Sequence, residues 1–289
     1  MNNKIQVVNW NISYMGNHES KLDFLFSLLH GNYCVLLQEV KPHVYEYIKS
    51  KYQDNTIIYS LNYRTPSKFD SDARKLGVMI ILSKNISVKE TGIIERNVFP
   101  DRTLYATVDM NGKELKILAL HSITGCNYYM AKSVQYDSFA EFIDSYSPDI
   151  IGIDANEPQI DSYDIEKMKF FDNGKGAKIF FHEVKNKGLC DTFVKYKNIA
   201  DCEEGKPITV SHNIKRKGAV RYDFLFSNND FMITSCEYLY DKAIKAGSDH
   251  AAIVAEFIIW FCISFYTCQI FSIAKGTRKH TTYERKICF

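Results

Sequence analysis

The chain has 289 residues, of which 46% are hydrophobic and 24% charged. This composition excludes disorder over most of the chain and is sufficient for one large domain or two small ones. The net charge of +2 is close to neutral, so a polyanion would have to be recognised by a local patch and not by the overall charge.

The eight cysteines are scattered, with no CxxC pair and no regular spacing. A structural zinc site is therefore not expected. Residues 1–10 are polar and then strand-like, and they lack the basic start and apolar run of a secretory signal peptide. We expect free thiols in a reducing compartment, and hence a cytoplasmic protein.

The first part of the chain alternates between strand-like and helical patterns. Residues 5–12 are apolar and β-branched, which predicts a strand, and the apolar spacing of residues 21–29 predicts a helix. Residues 33–40 form an almost continuous apolar run, as in a strand that is buried on both faces. A second helix is expected over residues 42–51.

Residues 55–122 change to successive β-rich runs. The dipeptide Asn111-Gly112 separates two of them and is the strongest hairpin signal in the chain. Strands over 103–110 and 114–121 should therefore pair antiparallel. A helix is predicted over 131–145, with the candidate core positions Val134, Phe139, Phe142 and Ile143.

The remaining core elements are a buried strand at 149–156 and two late strands at 220–227 and 251–257. Residues 157–218 are rich in Gly, Lys, Asp and Asn, and they are predicted to be mostly loops. The chain lacks a sustained βαβ rhythm and contains an explicit hairpin. This favours a layered α/β sandwich with mixed or antiparallel sheets, in a single domain over residues 1–257.

Several strand-like runs end in polar side chains that are capable of chemistry. Rigid scaffolds present catalytic groups at strand ends, so these side chains are candidates for one common site. Each of them has an ordinary alternative, such as a solvated strand end, a turn former or a core histidine; the repeated pattern carries the argument. The residues are Asn11, Gln38, Glu39, His121, Asp154, Asn156, Asp223, Asp249 and His250.

Six short segments resemble, in the same order and with similar spacing, the endonuclease/exonuclease/phosphatase superfamily, which has the fold of deoxyribonuclease I. Each motif is weak alone, whereas the set is specific and covers about residues 5–257. The resemblance implies a four-layered α/β sandwich, in which two packed sheets are flanked by helices. The segments are WNI (10–12), LLQEV (36–40), ALHS (119–122), GIDANEP (152–158), RYDFLFS (221–227) and GSDH (247–250).

The resemblance also implies a reaction, the hydrolysis of a phosphate ester with a bound divalent cation. Mg²⁺ or Mn²⁺ is expected, because these ions prefer oxygen ligands. Glu39 is the first candidate for a metal ligand and Asp249 a second. His250 is the candidate general base, with Asp223 hydrogen-bonded to its far nitrogen to fix the tautomer.

Five further residues receive roles from the same resemblance. His121 would donate to a phosphoryl oxygen or to the leaving group, and Asp154 would orient or deprotonate the attacking water. Asn11 and Asn156 would be neutral donors to phosphoryl oxygens. Arg102 is either a charge clamp on the substrate phosphate or a structural ion-pair partner.

One position departs from the pattern. Several relatives have an acidic residue two positions after the asparagine that matches Asn11, whereas this chain has Ser13. A permanent second metal site is therefore disfavoured, as is the abasic-site endonuclease branch, which has a tyrosine in the region of His121.

The substrate is less well defined, because loops choose the substrate in this fold. A nuclease is favoured, and a sphingomyelinase-like or inositol-phosphatase-like esterase is the alternative. An inactive binding module is disfavoured, because no expected catalytic position is missing. The basic loop 213–221 would bind nucleic acid, an inositol phosphate or a phospholipid headgroup, or its charges are simply solvated. Tyr128, Tyr129 and Tyr136 either stack on bases or pack in the core.

Beyond Phe257 the composition changes. Residues 258–274 carry no charge, and a basic segment follows them. As a helix at ~1.5 Å per residue the apolar stretch would reach roughly 26 Å, slightly short of a ~30 Å hydrocarbon core. Three interpretations remain open: a marginal C-terminal membrane anchor, a last core strand running into a packed helix, and a non-native extension unrelated to the domain. The protein is expected to be a monomer.

Overall fold

The structure is a computed structural model that describes residues 3–68, 70–71, 74–125, 129–171, 175–214 and 218–259. The predictions that concern Tyr128, residues 215–217 of the basic loop and most of 258–274 lie outside the described residues. In the part of the chain that is described, no helix is long and apolar enough to cross a membrane.

The structure is built of both strands and helices. The strands are β1 (Lys4–Asn11), β2 (Tyr33–Val40), β3 (Thr56–Tyr59), β4 (Gly77–Leu82), β5 (Ser87–Gly92), β6 (Thr103–Met110), β7 (Lys113–His121), β8 (Ile150–Asp154), β9 (Leu189–Asp191), β10 (His212–Ile214), β11 (Gly218–Val220), β12 (Asp223–Asn228), β13 (Met232–Leu239) and β14 (Ala252–Ile258). The helices are α1 (His18–Leu28), α2 (Pro42–Lys51), α3 (Ala131–Tyr146), α4 (Lys175–Asn186), α5 (Thr192–Lys197) and α6 (Tyr240–Ala246).

Two six-stranded sheets form the centre of the molecule. One has the order β13-β14-β1-β2-β4-β3 and the other β5-β6-β7-β8-β12-β9. In each sheet one pair is parallel, β1 with β2 and β7 with β8, and the other pairs are antiparallel. A short hairpin, β10-β11, stands apart from both sheets.

The sheets pack face to face, and helices cover their outer faces. The inner layer contains buried side chains of both sheets, such as Leu36 and Ile117. Helices α1, α2 and α6 pack on the first sheet, and α3 and α4 on the second, each through a separate apolar cluster. The predicted four-layered α/β sandwich with mixed sheets is confirmed. The hairpin at Asn111-Gly112 is confirmed as well, because β6 pairs antiparallel with β7 across it.

One sequence prediction about the elements was incomplete and one was wrong. The loop-rich region 157–218 also contains α4, whose buried residues Phe180, Phe181 and Val184 have helical spacing. In α3, Val134 is 48% exposed and is not a core residue, whereas Gln135 is fully buried. The reason is that Gln135 bonds the chain next to His121, donating to its carbonyl oxygen and accepting from Ile123 N, so a polar side chain occupies the inner face.

A polar side chain connects the two sheets near the end of β1. Buried Asn9 donates from Nδ2 to the carbonyl oxygens of Ile153 (3.3 Å) and Phe224 (3.1 Å) in the other sheet. This close approach requires Gly152 opposite. A Cβ at Gly152 would lie 2.5 Å from Asn9 Oδ1 and from Leu36 Cδ1.

We expect Gly152→Ala to lower the free energy of unfolding by about 1–3 kcal/mol, because the sheets would have to separate locally. Urea denaturation measures this change. Leu36→Ala makes room for the added methyl group, so the double variant should lose less stability than the sum of the two single variants. Strict additivity, or an unchanged stability of Gly152→Ala, would contradict the tight contact.

Candidate functional site

The polar strand ends of the first sheet meet at one edge of the molecule. Because β1 and β2 are parallel, Asn11 and the Gln38–Glu39 segment arrive at this edge together. Strand β14 runs antiparallel to β1, so His250, two residues before it begins, reaches the same edge. The fold therefore brings together residues that are far apart in the sequence.

The second sheet contributes its own strand ends to the same place. His121 pairs with Asp154 across the parallel strands β7 and β8, and Asp223, at the start of antiparallel β12, pairs with Asp154 from the other side. Asn11 Nδ2 donates to Asp154 Oδ2 over 2.8 Å and so connects the two sheets directly. These residues form one cluster at the upper edge of the sandwich.

Asp154 lies at the centre of the cluster and is buried. Its Oδ2 accepts from Asn11, and its Oδ1 accepts from the backbone N–H of Asn156 over 3.1 Å. Burial and the negative charge of Asp223 raise the pKa of Asp154 to about 7, although His250 opposes the shift. This carboxyl group is therefore able to change its protonation state near neutral pH.

His250 is held from three sides. Its Nδ1 lies 2.8 Å from Asp223 Oδ2, and because a carboxylate only accepts, Nδ1 carries the proton. Its backbone is fixed by Trp10 Nε1, which donates to the carbonyl oxygen, and by Ser248 Oγ, which accepts from the N–H. Burial disfavours the charged ring, but Asp223 and Asp154 outweigh it and raise the pKa of His250 to about 10.

His121 is neutral and has a defined tautomer. Arg102 Nη1 lies 2.6 Å from His121 Nδ1, and a guanidinium group can only donate, so Nδ1 accepts and the ring hydrogen lies on Nε2. Burial, followed by the charge of Arg102, holds the pKa of His121 well below its usual value. The Nε2 atom lies 3.6 Å from Asp154 Oδ2 and 3.9 Å from Glu39 Oε1.

Arg102 was predicted to be either a charge clamp on a phosphate or a structural ion-pair partner. The structure buries its side chain and places Nε 3.9 Å from Asp101 Oδ2, which is an ion pair. Its shorter contact, to His121, fixes the tautomer of that ring. No pattern in the sequence indicates this second contact.

Glu39 adopts an unusual backbone conformation. Its φ is 60°, and it lies where the pairing of β2 with β4 is irregular, between Leu37 and Val40. Bulges of this kind are common next to functional sites, where they re-aim a side chain. Glu39 Oε2 accepts from Tyr14 N over 2.9 Å, and the side chain remains 19% exposed.

The residues fit a divalent cation that prefers oxygen ligands. Carboxylate oxygens of Glu39 and Asp154 both lie within 4 Å of His121 Nε2, and Asp223 Oδ1 is buried without a hydrogen-bond partner among the described residues. Such a concentration of carboxylate oxygens suits a divalent cation. Asp249 is exposed, and ligand atoms of Asp249, His212 and His250 lie within 4.8 Å of one another.

Three residues of the site, two buried lysines and one stacked histidine, were not identified from the sequence. Lys21 is one: its Nζ donates to the carbonyl oxygens of Ser13 (2.7 Å) and Met15. Burial lowers the pKa of Lys21, while the charges of Asp249 and Glu39 oppose this shift. Lys21 thus anchors the β1–α1 loop that supports Glu39. Its place at the start of the predicted helix gave no indication of burial.

Lys132 is the second. Its Nζ donates to the carbonyl oxygen of Asn156 and to Glu157 Oε1, over 2.7 Å in each case, and both charged side chains are buried. This pair fixes the loop after β8. Asn156, with φ of 49°, can then donate from Nδ2 to the carbonyl oxygen of Ser122 over 2.9 Å.

His212 is the third. Its ring stacks on His250, with 4.3 Å between centroids and 18° between planes. Its Nδ1 donates to the carbonyl oxygen of Asp249 over 2.8 Å, which holds the ring in place. The sequence contained no signal for this contact, because His212 lies in a loop-like segment 38 positions from its partner.

The described part of the basic loop 213–221 has a structural role. Arg221 is buried and bonds both oxygens of Asp161 (2.8 and 2.9 Å) and Asp191 Oδ2 (2.7 Å). It is therefore not available to a substrate, which corrects its inclusion among the candidate ligands of a polyanion. Tyr136 is buried and bonds the carbonyl oxygen of Ala155, so it packs in the core.

Comparisons with known proteins identify the fold. No protein-family profile matches the chain, and no curated protein does. Among solved structures, TDP2 from D. rerio, complexed with single-strand DNA product, matches with a TM-score of 0.61 and 17% identity, covering 88% of this chain and 98% of that chain.

Two other solved structures are similar. The endonuclease domain of TRAS1, a telomere-specific non-LTR retrotransposon, matches with a TM-score of 0.55 and 12% identity, over 88% of this chain and 99% of that chain. An endonuclease/exonuclease/phosphatase from Bacteroides vulgatus matches with a TM-score of 0.60 and 14% identity, over 88% and 98%. The chain thus has the endonuclease/exonuclease/phosphatase fold, as its motifs predicted.

Proposed function

We propose that this chain, which has the endonuclease/exonuclease/phosphatase fold, is a divalent-metal-dependent phosphoester hydrolase that cleaves phosphodiester bonds of nucleic acid. One observation carries the proposal: six strand ends from two sheets bring Asn11, Glu39, His121, Asp154 and the Asp223–His250 pair to one edge. Hydrolysis of a phosphodiester needs an activated water and donors for the charge on the phosphoryl oxygens. The cluster contains groups for both.

Glu39, with Asp154 or Asp249, would hold Mg²⁺ or Mn²⁺. When bound, the cation would act as a Lewis acid on the phosphoryl group, and its positive charge would oppose protonation of His250. Glu39 suits this position because one of its oxygens is already fixed by Tyr14 N and its side chain is partly exposed. Ser13, where relatives have an acidic residue, supports a single cation.

His250 would take the proton of the attacking water at Nε2. Asp223 holds the opposite nitrogen and stabilises the charge that forms on the ring. Asp154, which lies in the same cluster of potential ligand atoms, would orient the water.

The phosphoryl oxygens would be bound by three neutral donors. His121 offers its Nε2–H, since Nδ1 is occupied by Arg102. Asn11 and Asn156 each use one amide hydrogen, for Asp154 and for the carbonyl oxygen of Ser122, and each retains a second. Neutral donors suit these positions, because a further carboxylate there would repel the anionic substrate.

Nucleic acid is proposed as the substrate because two of the similar structures point to it by name, one with a DNA product and one as an endonuclease. A panel of single-stranded DNA, plasmid, RNA, sphingomyelin and phosphoinositides, each with Mg²⁺ and with EDTA, tests the proposal. Metal-dependent cleavage of a nucleic acid is expected. If only the lipids were hydrolysed, the substrate would be a lipid and not a nucleic acid. If no substrate were hydrolysed, the protein would be a binding module.

His212 provides a prediction about positioning. We expect His212→Ala to lower kcat by about tenfold and leave KM unchanged, because the ring orients His250 and does not itself contact substrate. His212→Phe keeps a stacking ring and should retain most of the activity. Steady-state kinetics at saturating Mg²⁺ measure both variants. Equal losses in the two, or no loss in His212→Ala, would exclude the stacking role.

A further inference from the structure

Three arginines surround one buried aspartate beside the cluster. Asp101 is fully buried, and its Oδ1 accepts from Arg74 Nη2 (3.0 Å) and Arg64 Nη1 (3.3 Å). Arg102 Nε lies 3.9 Å from the other oxygen, Oδ2. Since guanidinium groups remain protonated at all physiological pH values, one carboxylate cannot balance these charges.

The excess positive charge adjoins the proposed phosphoryl site. Arg102 contacts both Asp101 and His121, so the arginine cluster directly adjoins the ring that would donate to the scissile phosphate. Backbone contacts hold this region in place, because Ser60 Oγ donates to the carbonyl oxygen of Asp101 and accepts from Val78 N. The charge therefore has a fixed position relative to the site.

Arg64 and Arg74 are reachable from solvent, in contrast to Arg102. Their side chains are 35% and 18% exposed. Arg74 also lies over the ring of Phe99, with 4.4 Å between the guanidinium carbon and the ring centroid. Each uses a single terminal nitrogen for Asp101, which leaves other donors of the planar group for a ligand. A planar donor group already fixed in place is well suited to a phosphate.

We propose that Arg64 and Arg74 form a subsite for a second phosphate, the one that neighbours the scissile phosphodiester in a nucleic-acid strand. The subsite extends the proposed function and rests on it for the position of the scissile bond. It explains how a nearly neutral chain could select a polyanion, since the selective charge is local. A substrate with a single phosphodiester would not use it.

The first experiment tests whether cleavage depends on the charge of the phosphates beside the cleavable bond. The wild-type protein is given a short single-stranded oligothymidylate, and the same oligomer with neutral methylphosphonates on both sides of one cleavable phosphodiester. We expect roughly tenfold lower kcat/KM on the neutral-flanked oligomer, because one charge-assisted contact is lost. In Arg64→Gln and Arg74→Gln the two oligomers should be cleaved at nearly equal rates.

The matched control is Arg96→Gln, which removes the same charge from an arginine that is 85% exposed and paired with Glu141. It should retain the wild-type preference for charged flanks. Thermal unfolding checks each variant, and Arg74→Lys keeps the charge if Arg74→Gln fails to fold. A wild-type protein indifferent to flanking charge, or an Arg96→Gln variant with the same loss, would overturn the subsite.

A binding measurement separates this proposal from the reaction itself. Fluorescence anisotropy with a labelled oligothymidylate in EDTA reports affinity without hydrolysis. Arg64→Gln should weaken binding severalfold and reduce the slope of log K against log salt by about one. If the oligomer binds with this dependence but is not cleaved, the hydrolase proposal fails and the subsite stands. If it is cleaved with an unchanged slope, the subsite fails alone.

Discussion

Replacing His250 by asparagine is expected to lower kcat for phosphodiester cleavage by about 10²–10⁴-fold, the usual contribution of a general base. The asparagine amide can still donate to Asp223 Oδ2 in place of Nδ1, so the buried carboxylate keeps a partner. What is lost is Nε2, the atom that would accept the proton of the water. Because Asp223 and Asp154 also lose the charged ring that they stabilise, the melting temperature should fall as well, and circular dichroism shows whether the variant is folded before its turnover is compared.

Single-turnover cleavage of a labelled oligonucleotide at saturating Mg²⁺ measures the effect. His182→Asn is the matched control, because His182 also lies beside a carboxylate, with its Nε2 3.2 Å from Glu166 Oε1, but on α4 and outside the cluster. That variant should cleave at the wild-type rate. A His250→Asn protein that folds and retains wild-type turnover would exclude the assigned role.

Replacing Glu39 by glutamine is expected to lower cleavage by about 10²–10³-fold at a fixed Mg²⁺ concentration, because the cation loses its first carboxylate ligand. The two side chains have the same shape, and the amide oxygen of glutamine can still accept from Tyr14 N. The substitution therefore removes the negative charge and leaves the hydrogen bond to the β1–α1 loop in place. Affinity for Mn²⁺, followed by electron paramagnetic resonance without substrate, should fall by about 10–100-fold.

Glu114→Gln is the control for this substitution. Glu114 is exposed and lies at the far end of β7 from His121, where it pairs with Lys89 over 3.2 Å. It should bind Mn²⁺ and cleave as the wild type does. Unchanged Mn²⁺ affinity in Glu39→Gln would place the cation elsewhere in the cluster, with Asp154 and Asp223 the next candidates.

The strands and the candidate residues of the site could be predicted from the sequence because both depend on local patterns. Apolar runs such as residues 33–40 and the Asn111-Gly112 turn are determined by nearby residues. The candidate residues could be found because each follows or precedes such a run. Their convergence then follows from the pairing of β1 with β2 and of β7 with β8.

The contacts that complete the site could not be predicted, because they join segments that only the fold brings together. Lys21 and Lys132 are buried although lysine is normally exposed, and they are stabilised by backbone carbonyl oxygens and by Glu157. The stacking of His212 on His250 and the contact of Arg102 with His121 depend on side-chain geometry across separate strands. Periodicity contains no information on such pairs.

The origin of the oxygen in the product tests the central claim most directly. Purified protein cleaves a defined oligonucleotide in oxygen-18-enriched water with Mg²⁺, and mass spectrometry follows each new phosphate terminus. Attack by a water activated at His250 and Asp154 predicts one oxygen-18 atom on every new terminal phosphate, and no cleavage with EDTA. New termini without the label, or cleavage that persists in EDTA, would contradict metal-dependent hydrolysis at this cluster.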